Sequence, residues 1–146
     1  MSRLCVTLME RSSDAVLEAM HNLPPEVDMA EVRLDYVEQP DVPAICRGRD
    51  RPIIVTNRPV REGGRWSGSE DRRIALLREA ARSGADYVDI ELDSREALGE
   101  PEGECGVIWR VVPVDILDMA ESLEEGADET AADRDQGEVP QTAQSV

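Results

Sequence analysis

The stretch that decides the fold is AEVRLDY at residues 30–36, in which charged and apolar side chains alternate strictly. A second stretch, YVDIEL at residues 87–92, repeats this pattern. Successive side chains of a β-strand point to opposite faces, so each stretch would have one charged and one apolar face. The pattern therefore predicts two half-polar strands, with Glu31, Arg33 and Asp35 on a shared face of the first.

Segments with helical spacing separate the predicted strands. Apolar side chains recur every three to four residues at 16–23 and 74–81, and a weaker helical pattern covers 41–49. Ser67 and Glu70 have the spacing of a capping box, which predicts the start of the helix that includes 74–81. Short apolar runs predict further strands at 4–9, 52–56 and 107–112.

The alternation of strands and helices predicts an α/β fold with a parallel sheet. An open sheet with helices on both faces would bury the charged strand faces against those helices, whereas a closed barrel turns one face inward toward a pocket. We therefore favour a (β/α) barrel. Its functional residues are expected at the carboxyl ends of the strands.

Charge is distributed unevenly along the chain. The 146 residues include 16 Lys+Arg and 32 Asp+Glu, which give a formal net charge of −16, and all 16 cationic residues are arginine. Residues 1–95 carry 14 arginines against 18 acidic residues (−4), and residues 96–146 carry 2 against 14 (−12). Negative charge of this size repels phosphate backbones and anionic lipids, so we expect no nucleic-acid partner and no membrane-surface partner.

The chain contains no apolar run near the roughly 18 residues that a membrane span needs, so we expect a cytoplasmic protein. Its three cysteines are Cys5, Cys46 and Cys105, and no two of them form a C-x-x-C pair. An odd number of widely spaced cysteines predicts neither a disulfide framework nor a metal site.

Four pieces of the chain, in the same order, resemble the type I 3-dehydroquinate dehydratases, which are lyases of the shikimate pathway of aromatic amino-acid biosynthesis. The pieces are CVTLM at 5–9, AEVRLDY at 30–36, IVTNRPVREGGRWSGSE at 54–70 and GADYVDIEL at 84–92. Members of that family are single (β/α)8 TIM barrels. The resemblance implies a partial barrel with about four clear strand–helix units plus a degenerate fifth and sixth.

This resemblance also implies a division of the chain into two parts. Residues 1–95 would form the N-terminal half of the barrel. Residues 96–146 would form an acidic, divergent tail, for which disorder is favoured over a specific interaction role; within it, the stretch 121–135 is acidic and has few large apolar residues.

In the family, the ketone of 3-dehydroquinate forms an imine with a lysine of the sixth strand, and a histidine of the fifth strand moves protons while water is lost. The resemblance implies that Glu31 and Arg33 contact substrate hydroxyls, that Arg58 binds substrate, and that Glu62 assists catalysis. Thr7 occupies a first-strand position that is often a substrate-contacting Ser or Thr. Guanidinium groups and carboxylates suit a rigid ring with several hydroxyls and one carboxylate. The resemblance implies no cofactor.

At the positions where the family has its reactive lysine and histidine, the resemblance gives other residues in this chain. Val114 stands where the histidine is expected, and Glu138 stands at, or within a residue of, the lysine position. A valine cannot transfer a proton, and a carboxylate cannot form an imine. A complete barrel has about 250 residues. We therefore expect a truncated family member that is inactive by itself.

Three functional hypotheses follow. The chain is a dehydratase whose lysine comes from another chain, a non-catalytic pseudoenzyme that binds a polyol, or a decayed gene product. A homo-oligomer remains open, since a partial barrel leaves exposed strand edges.

Overall fold

Five parallel strands form one sheet in the computed structural model, which describes residues 2–101 and 103–110. The strands are β1 (Cys5–Leu8), β2 (Met29–Arg33), β3 (Ile53–Thr56), β4 (Tyr87–Glu91) and β5 (Gly106–Arg110), and they lie side by side in chain order. The helices between them are α1 (Ser13–His21), α2 (Val42–Gly48), α3 (Glu70–Arg82) and the short α4 (Arg95–Leu98). This arrangement confirms the predicted α/β fold as a partial barrel.

The register of the strands brings the polar side chains of the alternating stretches onto one face. Thr7 lies opposite Glu31, Arg33 lies opposite Thr56, and Thr56 lies opposite Asp89. The other face is apolar and packs against the helices. Seven strand residues of this face are at most 5% exposed: Leu8, Ala30, Val32, Ile53, Val55, Val88 and Ile90.

The helices begin and end close to the predicted positions. Ser12 caps α1 by accepting a hydrogen bond from the backbone N–H of Ala15 (3.2 Å), and Asp41 caps α2 in the same way through Ala44 (3.0 Å). Helix α3 buries its whole predicted apolar stripe, which consists of Ile74, Leu76, Leu77, Ala80 and Ala81. These caps and stripes explain why the helices start where they do and which face they turn to the sheet.

The predicted capping box at the start of α3 is wrong. Ser69, rather than Ser67, caps the helix, and its Oγ accepts from the backbone N–H of Arg72 (3.3 Å). Glu70 is therefore the first helical residue instead of the third. Its carboxylate binds the Arg73 side chain instead of reaching back to a backbone N–H.

Both half-polar strands end earlier than their sequence pattern. A 3-10 turn, Leu34–Tyr36, follows β2, and a second one, Leu92–Ser94, follows β4. Asp35 consequently leaves the strand, and its side chain turns back to Arg33. These turns place polar groups above the sheet at the carboxyl ends of the strands.

The predicted fifth strand is confirmed as β5. The expectations for Val114, Glu138 and most of the acidic tail lie outside the described residues, and the division of the chain after residue 95 stays a prediction. Within the described part of the chain, none of the helices has the length and apolar character that crossing a membrane requires.

The burial of α3 in the core predicts how far a cavity in this helix lowers the stability of the protein. Leu77 is 0% exposed, and we expect Leu77→Ala to lower the free energy of unfolding by about 2–5 kcal/mol in urea titrations. Leu4→Ala is the control, since Leu4 is 52% exposed and should change stability by no more than about 0.5 kcal/mol. Equal losses from both variants would contradict this packing.

Candidate functional site

The candidate site lies on the polar face of the sheet, where β1, β2 and β3 end. Parallel βα sheets bind ligands at the carboxyl ends of their strands because the loops and helix N-termini that follow converge there. Thr7 lies in β1, Glu31 and Arg33 lie in β2, and Arg58 follows β3 by two residues. The structure therefore brings four of the predicted site residues to one end of one face.

Glu31 is held between two threonines. The Thr7 hydroxyl donates to Glu31 Oε2 (2.8 Å), and the Thr56 hydroxyl donates to Glu31 Oε1 (2.7 Å). Thr7 is the direct neighbour of Glu31 across the strand pair, and Thr56 is a diagonal neighbour. Glu31 remains half-buried, so its carboxylate is oriented but still reaches the surface of the face.

Asp35 connects Arg33 to the loop after β3. Arg33 donates from Nε to Asp35 Oδ1 (2.9 Å) and from Nη2 to Asp35 Oδ2 (2.7 Å), and the Asp35 side chain is 0% exposed. The backbone N–H groups of Arg58 (3.3 Å) and Arg65 (3.0 Å) donate to the same carboxylate. Asp35 thereby fixes the Arg33 guanidinium and the chain at Arg58 together.

These contacts determine the protonation states of Asp35 and Arg33. Burial alone would raise the pKa of Asp35, but the hydrogen bonds from Arg33 and from the N–H groups of Arg65 and Arg58 outweigh burial and lower it. The pKa of Arg33 is raised, chiefly by its hydrogen bonds to Asp35. Both groups are therefore charged at neutral pH.

Arg58 is anchored to β4. Its Nη1 donates to Glu91 Oε1 (3.0 Å) and its Nη2 to Asp89 Oδ2 (3.3 Å), and the side chain is only 7% exposed. Arg110 of β5 also donates to Asp89 Oδ2 (3.3 Å). Asp89 and Glu91 thus face the polar side of the sheet, as the alternation of β4 predicts, and together they orient Arg58.

A second buried arginine, Arg73, reaches this cluster from α3. It is 0% exposed and donates to Glu91 Oε2 (2.8 Å), to the backbone carbonyl of Asn57 (2.9 Å) and to both oxygens of Glu70 (2.6 and 2.9 Å). The motif analysis missed Arg73. Its signal was available, because Arg73 lies on the apolar stripe of α3, directly before Ile74, where a charged residue needs a buried partner.

Glycines shape the loop after β3. Gly63 adopts a left-handed conformation (φ 76°) that ends the 3-10 turn Val60–Glu62. A Cβ at Gly64 would clash with the backbone carbonyl oxygen of Arg58. That oxygen accepts from the N–H of Trp66 (3.1 Å), so the loop folds back tightly on Arg58. The two glycines of the EGG motif are thus required by backbone geometry.

Glu62 lies in that 3-10 turn and is half-buried. Its Oε2 is buried and, among the described residues, has no hydrogen-bond partner; the same holds for Asp89 Oδ1. Glu62 forms no hydrogen bond or ion pair with Thr7, Glu31 or Arg33, all of which belong to the described region. The structure therefore does not join Glu62 to the other predicted site residues by a hydrogen bond, and of the two unpartnered acceptors only Asp89 is shown to contact Arg58.

The site consists of polar side chains and of arginines paired with carboxylates. Over residues 2–101 and 103–110, no group of three or more His, Cys, Asp or Glu side chains is arranged to hold a metal ion. Oriented guanidiniums and carboxylates recognise hydroxyls and carboxylates of a ligand. Val114 and Glu138 lie outside the described residues, so their predicted places in the site stay predictions.

The close approach at Gly64 makes a specific prediction. Gly64→Ala must push the Arg58 backbone aside, and we expect it to destabilise the protein by about 1–3 kcal/mol in urea unfolding. Gly63→Asn is the control, because asparagine tolerates the left-handed conformation and a Cβ at Gly63 meets no atom within 4 Å. A loss from Gly64→Ala no larger than that from Gly63→Asn would refute this account of the motif.

The pairing of Glu70 predicts acid sensitivity. Hydrogen bonds from Arg73, with a smaller contribution from Ser94, lower the pKa of Glu70 from 4.5 to about 2 despite burial. Because the pKa is lower in the folded state, the stabilisation is complete above pH 4.5 and is lost as the pH falls toward about 2. The difference in unfolding free energy between the parent and Glu70→Gln should shrink over this window.

The control for that experiment is the same substitution in an Arg73→Met background. Without Arg73, Glu70→Gln should have an effect that changes little with pH. A pH-independent difference in the parent background would show that Arg73 does not lower the pKa of Glu70.

Comparisons with known proteins agree with this fold. Residues 4–108 match the family model for type I 3-dehydroquinase. The chain is 39% identical over 94 residues to the 3-dehydroquinate dehydratase of Desulfotalea psychrophila, a match that covers 64% of this chain and 41% of that protein. It is 50% identical over 66 residues to the Methanothrix thermoacetophila enzyme, covering 44% and 29% of the two chains. The chain thus spans less than half the length of these curated relatives.

Solved structures show the same fold. The type I 3-dehydroquinate dehydratase of Clostridium difficile, solved with covalently modified comenic acid, matches with a TM-score of 0.55 and 26% identity over 66% of this chain and 42% of that one. The dehydroquinate dehydratase and shikimate dehydrogenase of S. pombe matches with a TM-score of 0.60 over 73% and 24% of the two chains. Because the family model covers well over half of the chain, with the predicted motifs inside the matched range, the chain belongs to the type I 3-dehydroquinase family.

Proposed function

We propose that this chain binds 3-dehydroquinate on the polar face of the sheet and supplies the substrate-contacting part of a dehydratase site, but not its imine-forming part. The observation that carries the proposal is the oriented set formed by Glu31, Arg33 and Arg58 at the carboxyl ends of neighbouring strands. Family membership supports the choice of substrate.

Each proposed role follows from the contacts of the residue. Glu31, held by the threonine hydroxyls, accepts hydrogen bonds from substrate hydroxyls. Arg33 and Arg58 use the N–H groups that their carboxylate partners leave over to donate to substrate oxygens. Glu62, whose Oε2 is buried and has no hydrogen-bond partner among the described residues, would accept a proton or a hydrogen bond from a substrate hydroxyl. Thr7 contributes through Glu31.

The proposal that these residues do not catalyse the reaction rests on chemistry. Imine formation needs a neutral primary amine, and all 16 cationic residues of the sequence are arginine, which stays protonated. The single histidine, His21, lies on α1 with Nε2 2.9 Å from the carbonyl oxygen of Gly48 at the end of α2, so it belongs to the helix layer. With Val114 and Glu138 at or near the family's histidine and lysine positions by resemblance, the family's lysine-imine route would need a lysine from outside these 146 residues.

The remaining expectations stay proposals. We propose cytoplasmic action, in keeping with a biosynthetic substrate, and an acidic segment over residues 96–146 that is not part of the substrate-contacting half. A homo-oligomer would cover the strand edges that a partial barrel exposes.

Calorimetric titration of the full chain with 3-dehydroquinate tests the binding. We expect a saturable one-site signal, and we expect Arg33→Ala and Arg58→Gln each to weaken binding by about 10- to 150-fold, the effect of losing a charge-assisted hydrogen bond. Arg72→Ala is the matched control, because Arg72 is exposed on α3 and its removal changes the net charge equally. Circular dichroism verifies that each variant is folded.

The same samples test the absence of catalysis. NMR should show no conversion of 3-dehydroquinate to 3-dehydroshikimate, and borohydride treatment should add no mass to the chain. Conversion or a trapped adduct would contradict the proposal that the chain is not catalytic. A parent chain that gives no saturable signal would contradict the proposal that it binds 3-dehydroquinate.

A further inference from the structure

We propose that Arg73 is a positioning residue that holds Arg58 in its ligand-binding orientation through the shared carboxylate of Glu91. This inference deepens the proposed function and rests on it for the identity of the ligand. Arg73 lies on α3, on the helix side of the sheet, so it would act on the ligand only through other residues.

Glu91 is the bridge between the two arginines. Its side chain is 3% exposed, and each of its oxygens accepts from a different guanidinium: Oε1 from Arg58 (3.0 Å) and Oε2 from Arg73 (2.8 Å). A carboxylate bound on both oxygens has one orientation. With one oxygen free, the carboxylate can rotate about its terminal bond, and Arg58 loses a fixed acceptor.

Arg73 controls Arg58 by a second route as well. The same Nη1 that binds Glu91 donates to the backbone carbonyl of Asn57 (2.9 Å), the residue before Arg58. Arg73 therefore fixes both the backbone that leads into Arg58 and the carboxylate that receives its side chain. Contacts from Arg73 to the residue before Arg58 and to the carboxylate that binds its side chain restrict Arg58 more tightly than either contact alone.

The other end of Arg73 is itself anchored. Glu70 accepts from Nε and Nη2, and the Ser94 hydroxyl oxygen lies 3.1 Å from Nη2. Glu70 belongs to the first turn of α3, and Ser94 belongs to the turn after β4, so the guanidinium is fixed between helix and sheet. The Arg73 guanidinium is thus rigid enough to orient a neighbour.

Stability alone does not explain a buried arginine at this position. Apolar side chains of similar volume often replace both partners of a buried ion pair at no cost in stability, although removal of one partner alone is destabilising. The stripe of α3 is otherwise made of aliphatic residues and alanines, which would accept such a replacement. A role in orienting Arg58 accounts for the arginine, the shared carboxylate and the contact to Asn57 together.

The test compares Arg73→Met, Arg73→Lys and a control, Arg49→Met. Arg49 also bridges a carboxylate and a carbonyl, Asp86 (3.1 Å) and Cys46 (2.7 Å), but neither partner contacts Arg58. Two readouts are used on the full chain: the guanidinium 15N resonances of Arg58, assigned with Arg58→Gln, and the Kd for 3-dehydroquinate. Urea unfolding measures stability separately.

In the parent we expect separate Nη resonances for Arg58, which indicate hindered rotation. Arg73→Met should average them and weaken binding by about tenfold, as loss of an outer-shell partner does at metal sites. Arg73→Lys keeps the charge without the planar fork and should restore part of both readouts. Arg49→Met should lower stability and leave both readouts unchanged.

The two proposals fail differently. If the folded parent binds no 3-dehydroquinate, the proposed function fails, while the Arg58 resonances still test the positioning. If Arg73→Met leaves the resonances and the Kd at their parent values, the positioning is overturned and the proposed function stands. If Arg73→Met does not fold, Arg73→Lys decides by the same readouts. An equal change in Arg49→Met would show general destabilisation and would also overturn the inference.

Discussion

Two buried arginines share one carboxylate at the carboxyl end of the sheet. Arg58 comes from the end of β3, Arg73 comes from α3, and Glu91 at the end of β4 accepts from both. Buried charges are costly unless they are paired and hydrogen-bonded, so these three side chains fix one another's positions. The packing of α3 against the sheet and the course of the chain after β3 depend on this arrangement.

A second junction at Asp35 organises the neighbouring strand end. Asp35 binds the Arg33 guanidinium and accepts from the backbone N–H groups of Arg58 and Arg65. Arg58 therefore takes part in both junctions, through its backbone at Asp35 and through its side chain at Glu91. The site residues of β2 and β3 are thus linked without direct contact between their guanidinium groups, which would repel one another.

Much of this architecture was predictable, because it depends on local patterns. The alternation in residues 30–36 predicted which side chains would share the polar face, and the helical spacing predicted the buried stripe of α3. The start of α3 was predicted wrongly, since Ser67 and Ser69 both precede Glu70 and spacing cannot choose between them. In the structure Ser69 is the cap, and Glu70 binds Arg73 instead of a backbone N–H. The link from Arg73 to the site was missed, because Glu91, the carboxylate that it shares with Arg58, lies 18 residues away in the chain.

The sequence by itself determined the α/β class, the polar and apolar faces of the strands, the family motifs and the absence of lysine. Each of these is a matter of residue type and local spacing. Only the tertiary structure decided which carboxylate meets which guanidinium: Glu91 lies 33 residues from Arg58 and 18 from Arg73. Such pairs form where strand register and helix packing bring charges together, because a buried charge takes the nearest partner in space regardless of its distance along the chain.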